Sequence, residues 1–213
     1  SYCYGRSEKP LRYETIGEAL SRAAKLYPDQ DAAVFVHQNQ RYTYKALHLR
    51  VRKVAGNLIR FGIGRGDRIG IWSPNRAEWI ILQFAAAQIG AILVTINPAY
   101  RVIELESVVN KTRVKALVVA DKFKNSDYIA LLDNVAPEIK NSEAGAIRSE
   151  RLPSLTHVFH LWDQDLPGMF SFSALYAPLN AETEKALEAV ESALQPDDPI
   201  NIQFSSGTTG NPK

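Results

Sequence analysis

The last residues of the chain concentrate groups that bind anions. They follow the alternating stretch Ile200–Phe204 and are Ser205, Ser206, Gly207, Thr208, Thr209, Gly210, Asn211, Pro212 and Lys213. The glycines let the backbone turn with its N–H groups pointing inward, and four hydroxyl groups and one ammonium add further donors. A charge-assisted hydrogen bond from Lys213 to a phosphate oxygen is worth roughly 1.5–3 kcal/mol. This segment therefore predicts a loop that holds a polyphosphate.

The same composition would also fit an ordinary surface loop, because Ser, Thr, Gly, Asn and Pro are the common loop-forming residues. Two other phosphate motifs are excluded. The P-loop spacing Gly-x-x-x-x-Gly-Lys-Ser/Thr does not occur, and Pro212 precedes the lysine. The glycines Gly62, Gly64 and Gly66 lack the spacing of a dinucleotide-binding turn and precede their strand, so they predict a helix-to-strand turn.

Other residue types that carry chemistry show no productive pattern. His37, His48, His157 and His160 have neither metal-ligand spacing nor a neighbouring motif, so we predict no metal ligands among them. The single cysteine, Cys3, excludes an internal disulfide and suits a reducing compartment. The 25 Lys and Arg nearly balance the 23 Asp and Glu, so no nucleic-acid partner is expected. No apolar run reaches the about 18 residues of a transmembrane segment.

Apolar periodicity divides the chain into helices and strands. Helices are predicted at Thr15–Tyr27, Leu47–Phe61, Arg76–Ile89, Val102–Thr112, Tyr128–Val135, Phe172–Tyr176 and Ala181–Ala193. Strands are predicted in a hairpin at Ala32–Val36 and Arg41–Tyr44, and then at Arg68–Trp72, Ile92–Ile96, Ala116–Val119, Thr156–Leu161 and Ile200–Phe204. Residues 137–153 are polar and aperiodic, which predicts an exposed loop.

The alternation of strands and helices predicts a doubly wound α/β fold with a largely parallel sheet covered by helices. Strand 116–119 supports it, because it is apolar on both faces. Residues 1–61, a helix, a hairpin and a second helix, are expected to contribute to one subdomain. Residues 62–213 are expected to form an alternating strand–helix subdomain that ends in the phosphate loop.

Several conspicuous residues have structural interpretations. Trp72 and Trp79 are expected in the core or at its rim. Gly66-Asp67 is expected to form the turn that leads into a core strand. Pro74-Asn75 is expected to cap the helix that begins near Arg76. The carboxylates of the helix at 181–191 are expected on a solvated face.

The order Ser-Gly-Thr-Thr-Gly-x-Pro-Lys after a strand resembles the signature phosphate-binding loop of the adenylate-forming (AMP-binding) superfamily. Upstream segments are similar, in the same order, to acyl-CoA synthetases, and most of all to mitochondrial medium-chain members. They are Arg41–Tyr44 with Leu47, Gly66–Ile71, Pro74-Asn75, Glu78-Trp79, Ala85–Gly90, Asn97–Tyr100, Glu104–Glu106, Lys115–Val118, Arg151–Pro153 and Asp198–Phe204. The similarity covers nearly the whole chain. Many relatives carry Thr in place of Ser205, which keeps a hydroxyl group.

The resemblance implies an acid–thiol ligase that forms an acyl adenylate and then an acyl-CoA thioester. It implies fatty acid, ATP and coenzyme A as substrates, Mg²⁺ as cofactor, residues 205–213 as the phosphate site and Lys213 as its catalytic residue. It also implies the mitochondrial matrix, and an incomplete N-terminal AMP-binding domain without the small C-terminal domain. A fragment of this kind is expected to be inactive by itself, because the base, sugar and acyl contacts would lie elsewhere.

Two alternatives stay open at this stage. The first is another carboxylate-adenylating enzyme, such as an amino-acid-activating domain or a luciferase, because the phosphate loop is shared among them. The second is a truncated, noncatalytic chain that binds a partner or regulates the complete enzyme.

Overall fold

The computed structural model describes residue 10 and residues 12–162 and 164–204, so the predicted phosphate loop at 205–213 lies outside the described residues. The elements in chain order are α1 Ile16–Leu26, β1 Asp31–Phe35, β2 Gln40–Thr43, α2 Tyr44–Arg60, β3 Arg68–Trp72, α3 Ala77–Gln88, β4 Ile92–Ile96, α4 Val102–Thr112, β5 Val114–Val119, β6 Lys122–Phe123, β7 Ser126–Asp127, α5 Tyr128–Val135, β8 His157–His160, β9 Phe170–Ser171, α6 Ala181–Ala193 and β10 Asn201–Ile202. Short 3-10 turns lie at Val36–Gln38, Pro137–Asn141 and Phe172–Tyr176.

A six-stranded sheet with the order β10-β4-β3-β5-β8-β9 forms the centre of the molecule. All five neighbouring pairs are parallel, which confirms the predicted largely parallel sheet. The predicted hairpin is also present, as the antiparallel pair β1–β2 outside this sheet. Parallel strands have to be joined by crossovers, and helices supply most of them here. The fold is the doubly wound α/β type that the alternation of strands and helices predicts.

Each face of the sheet packs on its own apolar cluster. Alternate strand residues such as Ile69, Ile71 and Phe159 contact helices α1, α2, α3 and α6. The intervening residues, among them Trp72 and Val94, contact helices α4 and α5. Period-two alternation places successive side chains on opposite faces, so a strand covered on both sides has to be apolar throughout. No helix in the described ranges is both long and apolar enough to cross a membrane.

The Gly-rich turn before β3 has the predicted structural role. Gly62 and Gly66 have φ angles of 71° and 81°, in the left-handed region that favours glycine. The carboxylate of Asp67 accepts hydrogen bonds from the Gly64 N–H at 3.0 Å and from Lys115 Nζ at 2.7 Å. This turn lies at the amino ends of the strands, so it is a structural joint between α2 and β3.

Three sequence expectations are wrong in detail. The stretch 137–153 is partly packed into the core, because Ile139, Ile147 and Leu152 are buried in the cluster under α4 and α5. The helix predicted at 172–176 is a 3-10 turn. The face of α6 is not wholly solvated, because Glu191 accepts hydrogen bonds from Arg52 and from the Gln88 side chain. The first and third cases depend on tertiary contacts between residues far apart in sequence.

The start of α3 differs from its expectation as well. The N-cap residue is Arg76, which makes no side-chain capping bond. The amide oxygen of Gln38 accepts a hydrogen bond from the Ala77 N–H at 2.7 Å, and its amide nitrogen donates to Glu78 at 3.0 Å. The capping group therefore comes from the turn between β1 and β2, and not from Pro74-Asn75.

This contact gives a direct test. Replacing Gln38 by alanine is expected to lower the free energy of unfolding by about 1 kcal/mol, the usual cost of losing a helix cap. The matched change Asn75→Ala should leave it unchanged within about 0.5 kcal/mol, since Asn75 is exposed. Urea denaturation followed by circular dichroism measures both. A larger loss of unfolding free energy for Asn75→Ala than for Gln38→Ala would show that Pro74-Asn75, and not Gln38, caps α3.

Candidate functional site

The carboxyl ends of the six parallel strands share one edge of the sheet, which is where open α/β sheets bind ligands. Strand β3 lies near the middle, and the next two large strands, β4 and β5, lie on opposite sides of it. The chain leaves β3 toward β4 on one side and leaves β5 toward β8 on the other side, so the strand order reverses between β3 and β5. The crevice at this reversal is flanked by residues 73–76 after β3 and residues 120–121 after β5, and residues 97–101 after β4 lie one strand away.

Strand β10 ends at this edge, directly before the predicted phosphate loop in the sequence. Asn201 and Ile202 pair in parallel with Leu93 and Val94 of β4, and the Leu93 N–H donates to the Ile200 carbonyl at 3.0 Å. The described chain ends at residue 204 after it passes β10, and residues 205–213 follow directly. The structure thus describes the strand that leads into the predicted loop and places that strand next to β4, with its carboxyl end at the ligand-binding edge of the sheet.

Side chains on one face of this segment anchor it to the core. Ile202 and Phe204 pack against the buried cluster beneath α4 and α5. The ammonium of Lys111, in the last turn of α4, lies 5.9 Å from the centre of the Phe204 ring, within cation–π distance. The carbonyl oxygen of the Asn201 side chain is buried without a hydrogen-bond partner among the described residues. The base of the predicted loop therefore rests mainly on apolar packing.

The neighbouring loop after β4 is held by hydrogen bonds. The side-chain oxygen of Asn97 accepts from the Ala99 N–H at 2.9 Å, and the Tyr100 N–H donates to the Asn97 carbonyl at 3.0 Å. The hydroxyl of Tyr128, at the start of α5, donates to the Pro98 carbonyl at 2.7 Å. Burial raises the pKa of Tyr128 to about 12, so this hydroxyl keeps its proton at physiological pH.

An aromatic pair connects this loop to the centre of the sheet. The rings of Trp72, the last residue of β3, and Tyr128 stack with centroids 4.0 Å apart and planes inclined by 21°. Both residues are fully buried. Trp72 is therefore a core aromatic, as expected. Sequence reasoning predicted Tyr128 only as the first residue of a helix, and no local pattern indicated its hydroxyl contact 30 residues upstream.

The described residues hold no cluster of candidate metal ligands. Within residues 10, 12–162 and 164–204, no three His, Cys, Asp or Glu side chains are grouped so as to hold a metal ion. Burial lowers the pKa values of His157 and His160 on β8, which favours neutral imidazoles inside the core. The predicted donor set of residues 205–213 consists of backbone N–H groups, hydroxyls and one ammonium, which suits phosphate oxygens.

The sequence of residues 20–213 matches the model of the family described as AMP-binding enzyme. The chain belongs to the AMP-binding enzyme family. This match confirms the resemblance that the segment 205–213 and the upstream segments indicate.

Among curated relatives of this AMP-binding chain is the human protein named medium-chain acyl-CoA ligase ACSF2, mitochondrial. It is 41% identical over the whole of this chain, which covers 35% of the human protein. The mouse protein of the same name is 42% identical, with the same coverage of each chain. The chain therefore spans about a third of the length of the curated relatives it matches.

Solved structures show the same fold at lower identity. The anthranilate CoA ligase AuaEII, in complex with anthranoyl-AMP, superposes with a TM-score of 0.70 over 97% of this chain and 35% of that one, at 21% identity. The N-terminal domain of FACL13 from Mycobacterium tuberculosis gives 0.65 over 94% of this chain and 43% of that one, also at 21% identity. At such identities the superpositions show the fold, and they confirm the α/β class.

Proposed function

We propose that this chain is part of an ATP-dependent acyl-CoA ligase and supplies its phosphate-binding loop. The observation that carries the proposal is the run of donors at Ser205–Lys213, directly after the strand β10, which pairs in parallel with β4 and ends at the carboxyl edge of the sheet. The identity of about 41% with mitochondrial medium-chain acyl-CoA ligases supports a medium-chain fatty acid as substrate and the mitochondrial matrix as location.

In the proposed reaction a carboxylate oxygen of the fatty acid attacks the α-phosphorus of ATP. The bond between that phosphorus and the pyrophosphate oxygen breaks, which gives acyl adenylate and pyrophosphate. The sulfur of coenzyme A then attacks the carbonyl carbon as its thiol proton leaves, and AMP departs to give the thioester. Residues 205–213 hold the β- and γ-phosphates with backbone N–H groups and hydroxyls, and Lys213 neutralises charge that develops on the pyrophosphate.

Mg²⁺ fits this arrangement as a companion of the nucleotide. Protein-bound Mg²⁺ takes oxygen ligands, keeps several waters and is held largely by substrate phosphates, so the site needs no cage of carboxylates. The hydroxyl oxygens of Ser205, Ser206, Thr208 and Thr209 are the ligands this chain would offer. When bound, Mg²⁺ would supply charge neutralisation at the phosphates.

Two further parts of the proposal concern organisation. We infer that residues 1–61 and 62–213 are contributing subdomains of an incomplete N-terminal AMP-binding domain. Residues 1–213 alone should bind ATP weakly and turn over no substrate. A nucleotide needs its base and sugar buried as well as its phosphates held, and the chain covers about 35% of its relatives' length.

The test is ATP–pyrophosphate exchange with octanoate, compared between residues 1–213 and the same chain extended through the downstream reading frame. Octanoate-dependent exchange by the extended protein, and none by residues 1–213, is the expected result. Reactions without acid control for background. Exchange that depends on an amino acid or an aryl acid instead would reassign the substrate. No exchange with any fatty, aryl or amino acid would reject the ligase and favour a binding or regulatory role.

A further inference from the structure

A cavity of about 330 Å³ lies between helices α1, α2, α3 and α6. Pockets that bind small molecules measure about 300–1,000 Å³, so this cavity has room for a small ligand. Gln88 ends α3 just before β4, Leu194 follows α6 before β10, and both residues border the cavity. The cavity therefore lies at the amino-terminal edge of the sheet, opposite to the edge at which β10 ends.

The hydrogen bonds of Glu191 fix the orientation of the Gln88 amide. The Glu191 carboxylate accepts hydrogen bonds from Arg52 at 3.1 Å and from the side-chain nitrogen of Gln88. Because a carboxylate only accepts hydrogen bonds, the amide nitrogen has to face it and the amide oxygen has to point elsewhere. That oxygen is buried without a hydrogen-bond partner among the described residues, and Gln88 is only 3% exposed. A buried carbonyl normally has a partner, so Gln88 points to a donor that a ligand in the cavity would bring.

Glu188 offers a second acceptor at the same cavity. It borders the cavity at its exposed rim and forms no hydrogen bond or ion pair with any residue that the structure describes. Glu188 lies three residues before Glu191 on α6, which separates their positions by about 4.5 Å along the helix axis. Since Glu191 contacts Gln88, the two acceptors that lack partners are about one helical turn apart.

The charge around the cavity favours a cation. Its wall carries three carboxylates and one guanidinium, those of Glu18, Glu188, Glu191 and Arg52. Lys25 adds one positive charge nearby, close enough to act on His48. Burial and the neighbouring Arg52 lower the pKa of His48, which favours a neutral imidazole at physiological pH. The negative groups therefore outnumber the positive ones, and a ligand with N–H donors and a positive charge suits the wall.

We propose that this cavity binds a small aliphatic diamine. One ammonium group donates to the amide oxygen of Gln88, and the other pairs with the carboxylate of Glu188. A chain of four carbon atoms matches the separation of the two acceptors, which is about one helical turn, roughly 5.4 Å. The site shares no residue with the predicted phosphate loop and does not depend on the proposed ligase activity.

The test is a ligand-observed NMR titration of the extended protein with 1,4-diaminobutane, compared with 1-aminobutane, which carries only one ammonium group. Gln88→Met keeps the length of the side chain and removes the amide oxygen. It should weaken diamine binding about five- to tenfold, the size expected from one lost hydrogen bond. Glu188→Gln removes an exposed charge and should weaken it about two- to fivefold. Both variants should reduce the preference for the diamine over the monoamine, which a loss of stability alone would not change.

The matched control is Glu182→Gln, which removes an exposed carboxylate of α6 that does not border the cavity. It should leave both Kd values unchanged. Equal weakening by Glu182→Gln and Glu188→Gln would show a general attraction of amines to an acidic surface and would overturn the site. No diamine binding by the wild type, or binding that neither Gln88→Met nor Glu188→Gln weakens, would overturn it as well. If Gln88→Met does not fold, Glu188→Gln decides alone, because its side chain is exposed.

Discussion

Replacement of Lys213 by alanine in the extended protein is expected to lower octanoate-dependent ATP–pyrophosphate exchange about 100-fold, the usual effect of removing one preorganised charge-stabilising donor. The physical reason is that negative charge grows on the pyrophosphate oxygens as the bond to the α-phosphorus breaks. An ammonium placed near them therefore stabilises the transition state more than the bound substrate. The loss should appear mainly in kcat, with the KM for octanoate little changed.

Lys185→Ala is the matched control, since Lys185 is an exposed lysine on α6. It removes the same charge and should leave exchange unchanged. Lys213→Arg keeps the charge and should retain more activity than the alanine variant. Full exchange by Lys213→Ala would show that the lysine does not act on the leaving group and would remove it from the proposed site.

Gly168→Ala is expected to be the most destabilising single methyl addition considered for this chain. Gly168 has a φ of 71°, and a Cβ built there would lie 1.7 Å from the carbonyl oxygen of Ile139. That oxygen belongs to the backbone of a turn whose Ile139 side chain is buried, so a rotamer change cannot relieve the overlap. We expect the free energy of unfolding to fall by about 3 kcal/mol or more, from left-handed strain and overpacking together.

Gly64→Ala provides the comparison for this variant. A Cβ at Gly64 meets no atom within 4 Å, and its φ does not lie in the left-handed region. This change should leave stability unchanged or raise it by about 0.4–1 kcal/mol, because alanine restricts the unfolded chain. Urea denaturation followed by tryptophan fluorescence measures both variants. Equal midpoints for the two alanine variants would refute the close contact between residues 168 and 139.

The parts of the fold that sequence predicts best are those where local and tertiary requirements coincide. The bounds of β3, β4, α4 and α6 agree with their predictions, because each combines clear periodicity with turn residues at its ends. The short strand at 170–171 was not predicted, since two residues have no period and pair only because β8 lies beside them. Isolated apolar residues such as Ile147 likewise carry no signal of burial.

The candidate site divides in the same way. The phosphate loop can be predicted from the sequence, because its donor residues are consecutive and the strand before it alternates apolar and polar residues. The hydrogen bond from Tyr128 to Pro98 cannot be predicted in this way, because it joins residues 30 positions apart and forms only once α5 packs beside the end of β4. The cap supplied by Gln38 cannot be predicted from the sequence for the same reason, because Gln38 lies 39 positions before the residue whose N–H donates to it. Long-range hydrogen bonds require the three-dimensional arrangement before they can be assigned.

The strand order also has a consequence for how the protein is made. The sheet grows outward from β3 as synthesis proceeds: β4 and β5 join its two sides, β8 and β9 extend one of them, and β10 comes last on the other. Domains can fold as they emerge during translation, so most of this sheet can form on the ribosome before the predicted phosphate loop is synthesised. In the described residues β10 pairs with β4 across two positions. The last strand to be made is therefore joined to the sheet by few backbone hydrogen bonds, and the packing of Ile202 and Phe204 has to complete its attachment.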